Sequence, residues 1–312
     1  MRFNFPLTFL FTLVLSISAC DSPEDKKGRF LLKGNNQIQE NDYTGAIRFY
    51  DEALKIDNDF AEAHYNRGIA NYKTANLTAA IQDFSNAIRA NPSYTDAIHQ
   101  RGLAYLDQGE YYKSLEDANR LIKAEKNESR GYFLRGLANE AVKRHEEALN
   151  DFETALGLNP ENPDLLVNRA TIYFYLDNYD LAEMDLQSAL SLAPKESNIF
   201  NLQSMIEFER GEYEKALESV EKAISLNSRQ PYFYNNRGLY RIKTGELEKG
   251  LEDINFSLKQ NPRNLYALRN KGIYYFYAGQ KTQALQYLEE VKQKDPSIPL
   301  TADYLEKAKE LN

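Results

Sequence analysis

Five arginines in this chain are each followed, sixteen residues later, by an aspartate: Arg67 and Asp83, Arg101 and Asp117, Arg135 and Asp151, Arg169 and Asp185, Arg237 and Asp253. A planar guanidinium matches a carboxylate through two parallel hydrogen bonds, so this recurrence points to structural ion pairs rather than to proton transfer. Groups suited to catalysis are sparse. The three histidines, His64, His99 and His145, fall at unrelated spacings with no accompanying carboxylate pattern, which makes them a poor metal set. Cys20 is the only cysteine, so no internal disulfide can form. There is no phosphate-binding glycine loop, nucleophile elbow or zinc-protease helix motif. The expectation is a protein with no metal, no cofactor and no reaction of its own.

The arginine and aspartate columns are nested in a longer period of 34 residues, whose units start at Lys27, Ala61, Thr95, Ser129, Pro163, Ser197, Pro231 and Leu265. Counted from each start, position eight is Gly34, Gly68, Gly102, Gly136, Ala170, Ser204, Gly238 or Gly272. Position twenty is Ala46, Ala80, Ser114, Ala148, Ala182, Ala216, Gly250 or Ala284. Two antiparallel helices approach closely only where facing side chains are small, so these columns predict the crossing point of a helical hairpin. Position twenty-four carries a bulky plug (Tyr50, Phe84, Phe152, Leu186, Val220, Ile254 or Leu288), except that the third unit has Ala118 with Leu121 three residues on. That pair reads as a volume-conserving exchange on one helix face. Pro92, Pro160, Pro194, Pro262 and Pro296 end second helices, and Gly109, Gly211, Gly245 and Gly279 mark the turn inside a hairpin. Where position seven is Lys33, Gln203 or Lys271, position twenty-three is Phe49, Ser219 or Tyr287, so Arg and Asp appear or vanish together. They are expected to pair between the two helices of a unit or between neighbouring units. After Pro299, the stripe Leu300, Tyr304, Ala308, Leu311 predicts a final capping helix.

The small, small, aromatic, small, proline pattern of Gly68, Ala80, Phe84, Ala87 and Pro92 resembles the tetratricopeptide repeat. The resemblance covers residues 27–312 and implies an all-α, right-handed superhelical solenoid: eight helix-turn-helix repeats over 27–298 and a capping helix over 299–312. In that family a stripe on each first helix lines a concave groove for proteins or extended peptides. Carried over by position, the stripe gives Asn66, Gln100, Asn168, Asn236 and Asn270, surrounded by Tyr65, Tyr72, Phe133, Phe174, Phe208, Tyr232 and Phe276. An asparagine offers an extended backbone both a donor and an acceptor, and aromatic rings anchor interfaces. Position five reads Leu31, Tyr65, His99, Phe133, Val167, Asn201, Asn235, Arg269, without the basic residues that the carboxylate-clamping subclass needs. Ser219-x-x-Lys222, Tyr234-x-Asn236 and Lys243-Thr244-Gly245 mimic penicillin-binding protein motifs, but all lie inside repeat hairpins rather than being drawn from distant parts of another fold.

The chain opens with Arg2 and an apolar run from Phe5 to Ile17, too short to span a bilayer as a helix. It ends in Ile17-Ser18-Ala19-Cys20, which resembles a bacterial lipobox. The resemblance implies a signal peptide over 1–19, lipidation of Cys20, and an extended tether over 20–26 to the first repeat. It implies a bacterial cell envelope, with the outer membrane favoured over the inner. A formal net charge of −8 argues against nucleic acid, which requires a basic face. The expected role is a membrane-tethered scaffold or adaptor. A pilotin-like assembly factor for a secretion or pilus machine is the alternative in the same class, and an enzyme hidden in the groove is the outside one.

Overall fold

A computed structural model describes residues 22–312, and every regular element in that range is an α-helix. Cys20 and the segment 1–19 lie outside the described residues. The chain forms two compact units, divided between Glu110 and Tyr111, inside the third repeat. The 34-residue period gives no sign of that division. The first unit holds α1 (Pro23–Gln39), α2 (Tyr43–Ile56), α3 (Ala61–Lys73), α4 (Leu77–Ala90) and α5 (Thr95–Gln108). The second begins with α6 (Tyr111–Ala124), α7 (Ser129–Ala141), α8 (His145–Leu158), α9 (Pro163–Tyr175), α10 (Tyr179–Leu192) and α11 (Ser197–Glu209). It continues with α12 (Tyr213–Leu226), α13 (Pro231–Lys243), α14 (Leu247–Gln260), α15 (Leu265–Tyr277), α16 (Lys281–Lys294) and α17 (Thr301–Lys309). Among the described residues no helix is long and apolar enough to cross a membrane.

From α3 onward, each first helix begins at the predicted start of its repeat. The exception is α1. Its N-cap is Ser22, whose hydroxyl accepts from the Asp25 amide while the Asp25 carboxylate accepts from the Ser22 amide, and Pro23 fills the first turn. This capping box extends the helix four residues upstream of the period. Pro23–Lys26, expected as extended tether, are therefore helical.

The hairpins close on the small columns. A Cβ added to Gly136 would lie 2.5 Å from the Phe152 ring, and one added to Gly238 would lie 2.8 Å from the carbonyl oxygen of Gly250. The plugs at position twenty-four are buried in every repeat that has one, and Ala118 and Leu121 are both fully buried. All eight hairpin turns place position fifteen in the left-handed region. Gly109, Gly211, Gly245 and Gly279 do so as expected, and Asn41, Ala75, Lys143 and Asp177 do so without glycine. The capping helix α17 packs on α15 and α16 through Tyr304, Leu305 and Ala308.

The arginine column acts within each repeat. Arg135 Nε and Nη2 donate to Asp151 at 2.7–3.0 Å, and Arg169 to Asp185 and Arg237 to Asp253 do likewise at 2.7–2.8 Å. In the first unit Arg67 donates to Asp83 at 2.6–3.2 Å. The remaining nitrogen reaches backwards: Arg67 Nη1 to Asp51 at 2.6 Å and Arg135 Nη1 to Asn119 at 2.9 Å. Both acceptors occupy position twenty-five of the preceding repeat, so one fork ties two helices of its own hairpin to a helix of the one before. A second donor, Asn71, Asn139 or Arg241, completes the carboxylate from position eleven. Burial alone would raise the Asp83 carboxyl, but the His64 ring beside it and bonds from Arg67 and Asn71 hold it below the usual range. Arg101 and Asp117 belong to different units.

Because Asp151 is almost fully buried, removing its partner strands a charge. Arg135→Ala is expected to destabilise the chain by about 2–4 kcal/mol, whereas Arg135→Met with Asp151→Leu should fall within about 1 kcal/mol of the parent. Urea denaturation of the full double-mutant cycle measures the coupling, and additive single effects would show that the contact carries no energy.

Candidate functional site

In the second unit the first helices α7, α9, α11, α13 and α15 line a groove of about 830 Å³. The hairpin geometry that buries positions eight and ten in this unit turns positions two, five, six, nine and thirteen toward this space. The far wall comes from the segment after α16, through Pro299 and Leu300. Lys143, in the turn after α7, reaches this segment, donating to Ser297 Oγ at 2.7 Å and facing Asp295 at 3.5 Å.

Of the residues singled out from the sequence, Phe133, Asn168, Phe174, Phe208, Tyr232 and Asn236 line this groove together. Phe208 is buried, stacked on Tyr240 at 5.0 Å, so it contributes mainly to the core. Tyr232 is partly exposed, its hydroxyl donating to Asn198 at 2.6 Å. The others lie elsewhere. Asn66, Tyr65, Tyr72 and Gln100 belong to the first unit. Tyr65 packs on Phe84 and Tyr94, and the Tyr72 hydroxyl donates to Asp107. Phe276 packs edge-on against Tyr304 of the capping helix.

The asparagine column needs correction. Position six was expected to face a ligand with both donor and acceptor. Instead its amides are spent between repeats: Asn66 donates to Asn35 Oδ1 at 2.9 Å, Asn236 to Asn201 Oδ1 at 3.0 Å, and Asn270 to Asn235 Oδ1 at 2.9 Å. Asn168 bonds back to the Asp164 carbonyl of its own helix. Asn270 is fully buried and also accepts from Arg269. The geometry favours this because position six of one first helix lies beside position five of the preceding one at Asn201 and Asn235, and beside position nine at Asn35, and a buried amide takes the nearest acceptor.

What this leaves free is position five. With its oxygen taken by Asn270, the Asn235 amide nitrogen has no partner among the described residues, although the side chain is only 3% exposed and lines the groove. Asn201 is placed in the same way, its nitrogen meeting only the Met205 sulfur at 3.6 Å. The Asn235 nitrogen is not sealed from solvent, so a ligand carbonyl there would take the place of water. Arg269 ends the row. It donates to Asn270 Oδ1 and to the Pro299 carbonyl, with no carboxylate in ion-pair range among the described residues. Burial pulls its guanidinium down to about 10, so it stays charged at neutral pH.

The groove also holds carboxylates without partners. The Glu140 and Glu209 side chains make no hydrogen bond or ion pair among the described residues, and burial pushes Glu140 up to about 7. Around them lie the exposed rings of Tyr175 and Tyr266. Tyr175 packs at a tilt against His145 at 5.1 Å and edge-on against Phe174 at 5.8 Å. No group of three or more His, Cys, Asp or Glu able to hold a metal occurs among the described residues.

Repeat models from known families match this chain almost end to end: "TPR repeat" over 34–74 and 206–245, and "Tetratricopeptide repeat" over 61–94, 99–163, 141–206 and 235–299. The chain belongs to the tetratricopeptide repeat family. No curated protein matches its sequence. Among solved structures, tetratricopeptide solenoids share its fold. A chain of the APC/C hetero-tetramer Cut9–Hcn1 is similar at 14% identity with a TM-score of 0.69, over 93% of this chain and 57% of that one. This chain therefore spans little more than half of that relative. A tetratricopeptide repeat protein from Parabacteroides merdae is similar at 19% identity with a TM-score of 0.60, over 80% of this chain and 98% of its own. Yeast Tom70 is similar at 17% identity with a TM-score of 0.57, over 98% of this chain and 66% of its own. At these identities the likeness carries the tetratricopeptide fold and leaves the groove chemistry to this chain's own residues.

Because folding raises the Glu140 pKa to about 7, its stabilising neutral form is present below the unfolded value near 4.5 and is lost as pH rises through 7. Glu140→Gln is therefore expected to be more stable than the parent by about 1–3 kcal/mol at pH 8 and nearly equal to it at pH 4.5. Denaturation at the two pH values checks this, and a pH-independent difference would contradict it.

Proposed function

We propose that this protein is a tetratricopeptide scaffold of a bacterial cell envelope, anchored by lipid at Cys20, which holds an extended segment of a partner protein in the groove of its second unit. The observation that carries the reading is the pair of groove-lining asparagines Asn201 and Asn235, whose oxygens are taken by the next repeat while their nitrogens have no oxygen acceptor among the described residues, beside exposed aromatic rings. Donors one repeat apart suit an extended backbone, whose carbonyls recur along its length. Rings such as Tyr232 and Phe174 suit the side chains between. The lipid anchor rests on the residues that resemble a lipobox and on Cys20 being the sole cysteine. With α1 beginning at Pro23, only a few residues separate such an anchor from the first helix. The first unit would then stand close to the bilayer.

A photo-crosslinking amino acid placed at Tyr232 of the full-length chain in intact bacteria tests both parts. The expected result is a discrete protein adduct in the membrane fraction, absent when the same probe replaces exposed Met184 on α10. Asn201→Leu with Asn235→Leu should abolish the adduct, and Cys20→Ala should move it to the soluble fraction. Equal adducts from both probe positions would contradict the groove, and unchanged fractionation of Cys20→Ala would contradict the anchor.

A further inference from the structure

The walls of the groove bear on the charge of the segment proposed to lie in it. Five carboxylates line it against one cation, Arg269. Two of them have structural duties: Asp177 accepts from the Tyr179 hydroxyl and Glu196 from the Asn198 amide. Glu209 lies within reach of the Arg269 charge, which offsets part of its burial. Glu140 has no such relief. No cation pairs with it among the described residues, and the Tyr175 ring lies near it. Tyr175 of α9 and Glu140 are close enough for their charges to interact, as are Tyr175 and Tyr266 of α15. His145, at the start of α8, packs at a tilt against Tyr175, and burial together with the Lys143 charge keeps its ring toward the neutral form. Lys143 is itself engaged with Asp295 and Ser297.

A half-buried carboxylate beside open tyrosine faces is the environment that a lysine or arginine side chain complements, through charge and through the ring quadrupole. Resting on the groove reading, we infer that the bound segment is basic, and that one of its lysine or arginine side chains seats against Glu140 and the exposed faces of Tyr175 and Tyr266. Asn235 is the independent sign of a ligand at this place: its side chain is 3% exposed and lines the same cavity, and its nitrogen has no hydrogen-bond partner among the described residues. An acidic segment is the competing occupant. It would gain Arg269, but would bring its charge among Glu140 and Glu209, and Arg269 already spends three of its N–H groups on Asn270 and Pro299.

The charge state of Glu140 supplies a second handle. A lysine stays cationic throughout the neutral range, whereas Glu140 ionises around pH 7, so affinity should strengthen between pH 6 and pH 8. Tyr175, pushed up by burial, stays neutral there, and Glu209, also pushed up by burial, works in the same direction.

The test is to pan a random dodecapeptide library against the full-length chain in detergent micelles. Enriched peptides are then resynthesised with each Lys or Arg replaced by norleucine. The expected outcome is enrichment of basic sequences with one position where norleucine weakens binding about tenfold at pH 8. That preference should fall below about threefold at pH 6, and below about threefold at pH 8 in Glu140→Gln. Glu140→Gln is expected to fold at least as stably as the parent, so loss of the preference in it reads the contact itself. Tyr175→Leu gives a second variant with the same expectation. Enrichment of acidic or neutral peptides, or an undiminished lysine preference in Glu140→Gln, overturns the inference while leaving the groove reading intact. No enrichment at all overturns both.

Discussion

The fold of each unit depends on one constraint: the two helices of a hairpin must pass each other almost at backbone contact where the small columns meet. Small residues at positions eight and twenty permit it, and the plug at position twenty-four fills the space beside them. At Gly136 the fit leaves no room for a methyl group under Phe152, and at Gly238 and Gly250 two backbones touch directly. Glycine weakens an isolated helix by up to about 1 kcal/mol, so its recurrence at one phase means that close packing outweighs propensity. The angle fixed at each crossing decides which face of the first helix turns inward, and that face carries the binding chemistry.

Electrostatics reinforces the same geometry. The Arg67 and Arg135 forks each join their own hairpin to the preceding one, and their aspartates take a further bond from position eleven. Paired charges of this kind contribute less to net stability than their bonds suggest, because desolvation offsets much of the attraction. Their directional bonds set the relative position of successive hairpins. That setting brings position six of one first helix beside position five of its neighbour, where Asn236 finds Asn201 and Asn270 finds Asn235.

Much of this was legible in the residues. The period placed every first helix from Ala61 onward, and the paired loss of Arg and Asp anticipated contact between them. What the sequence hid has physical causes. Adjacent asparagines such as Asn235 and Asn236 look equivalent in one dimension, and only the neighbouring repeat decides which of them spends its nitrogen. Left-handed turns at Ala75 and Lys143 could not be read because neither residue favours that conformation; closure of the hairpin imposes it. The early start of α1 was readable, since Ser22-Pro23-Glu24-Asp25 carries a helix-start signal, but the repeat phase outweighed it. Glu140 gave no signal, because its lack of a partner is a property of the folded groove.

The crossing itself can be measured directly. Gly136→Ala should lower stability by about 1–3 kcal/mol in chemical denaturation despite alanine's better helix propensity, and combining it with Phe152→Leu, which clears the ring from the added methyl, should cost less than the two single effects added. A stabilising Gly136→Ala, or strict additivity with Phe152→Leu, would contradict the claim that backbone approach at this position governs the fold.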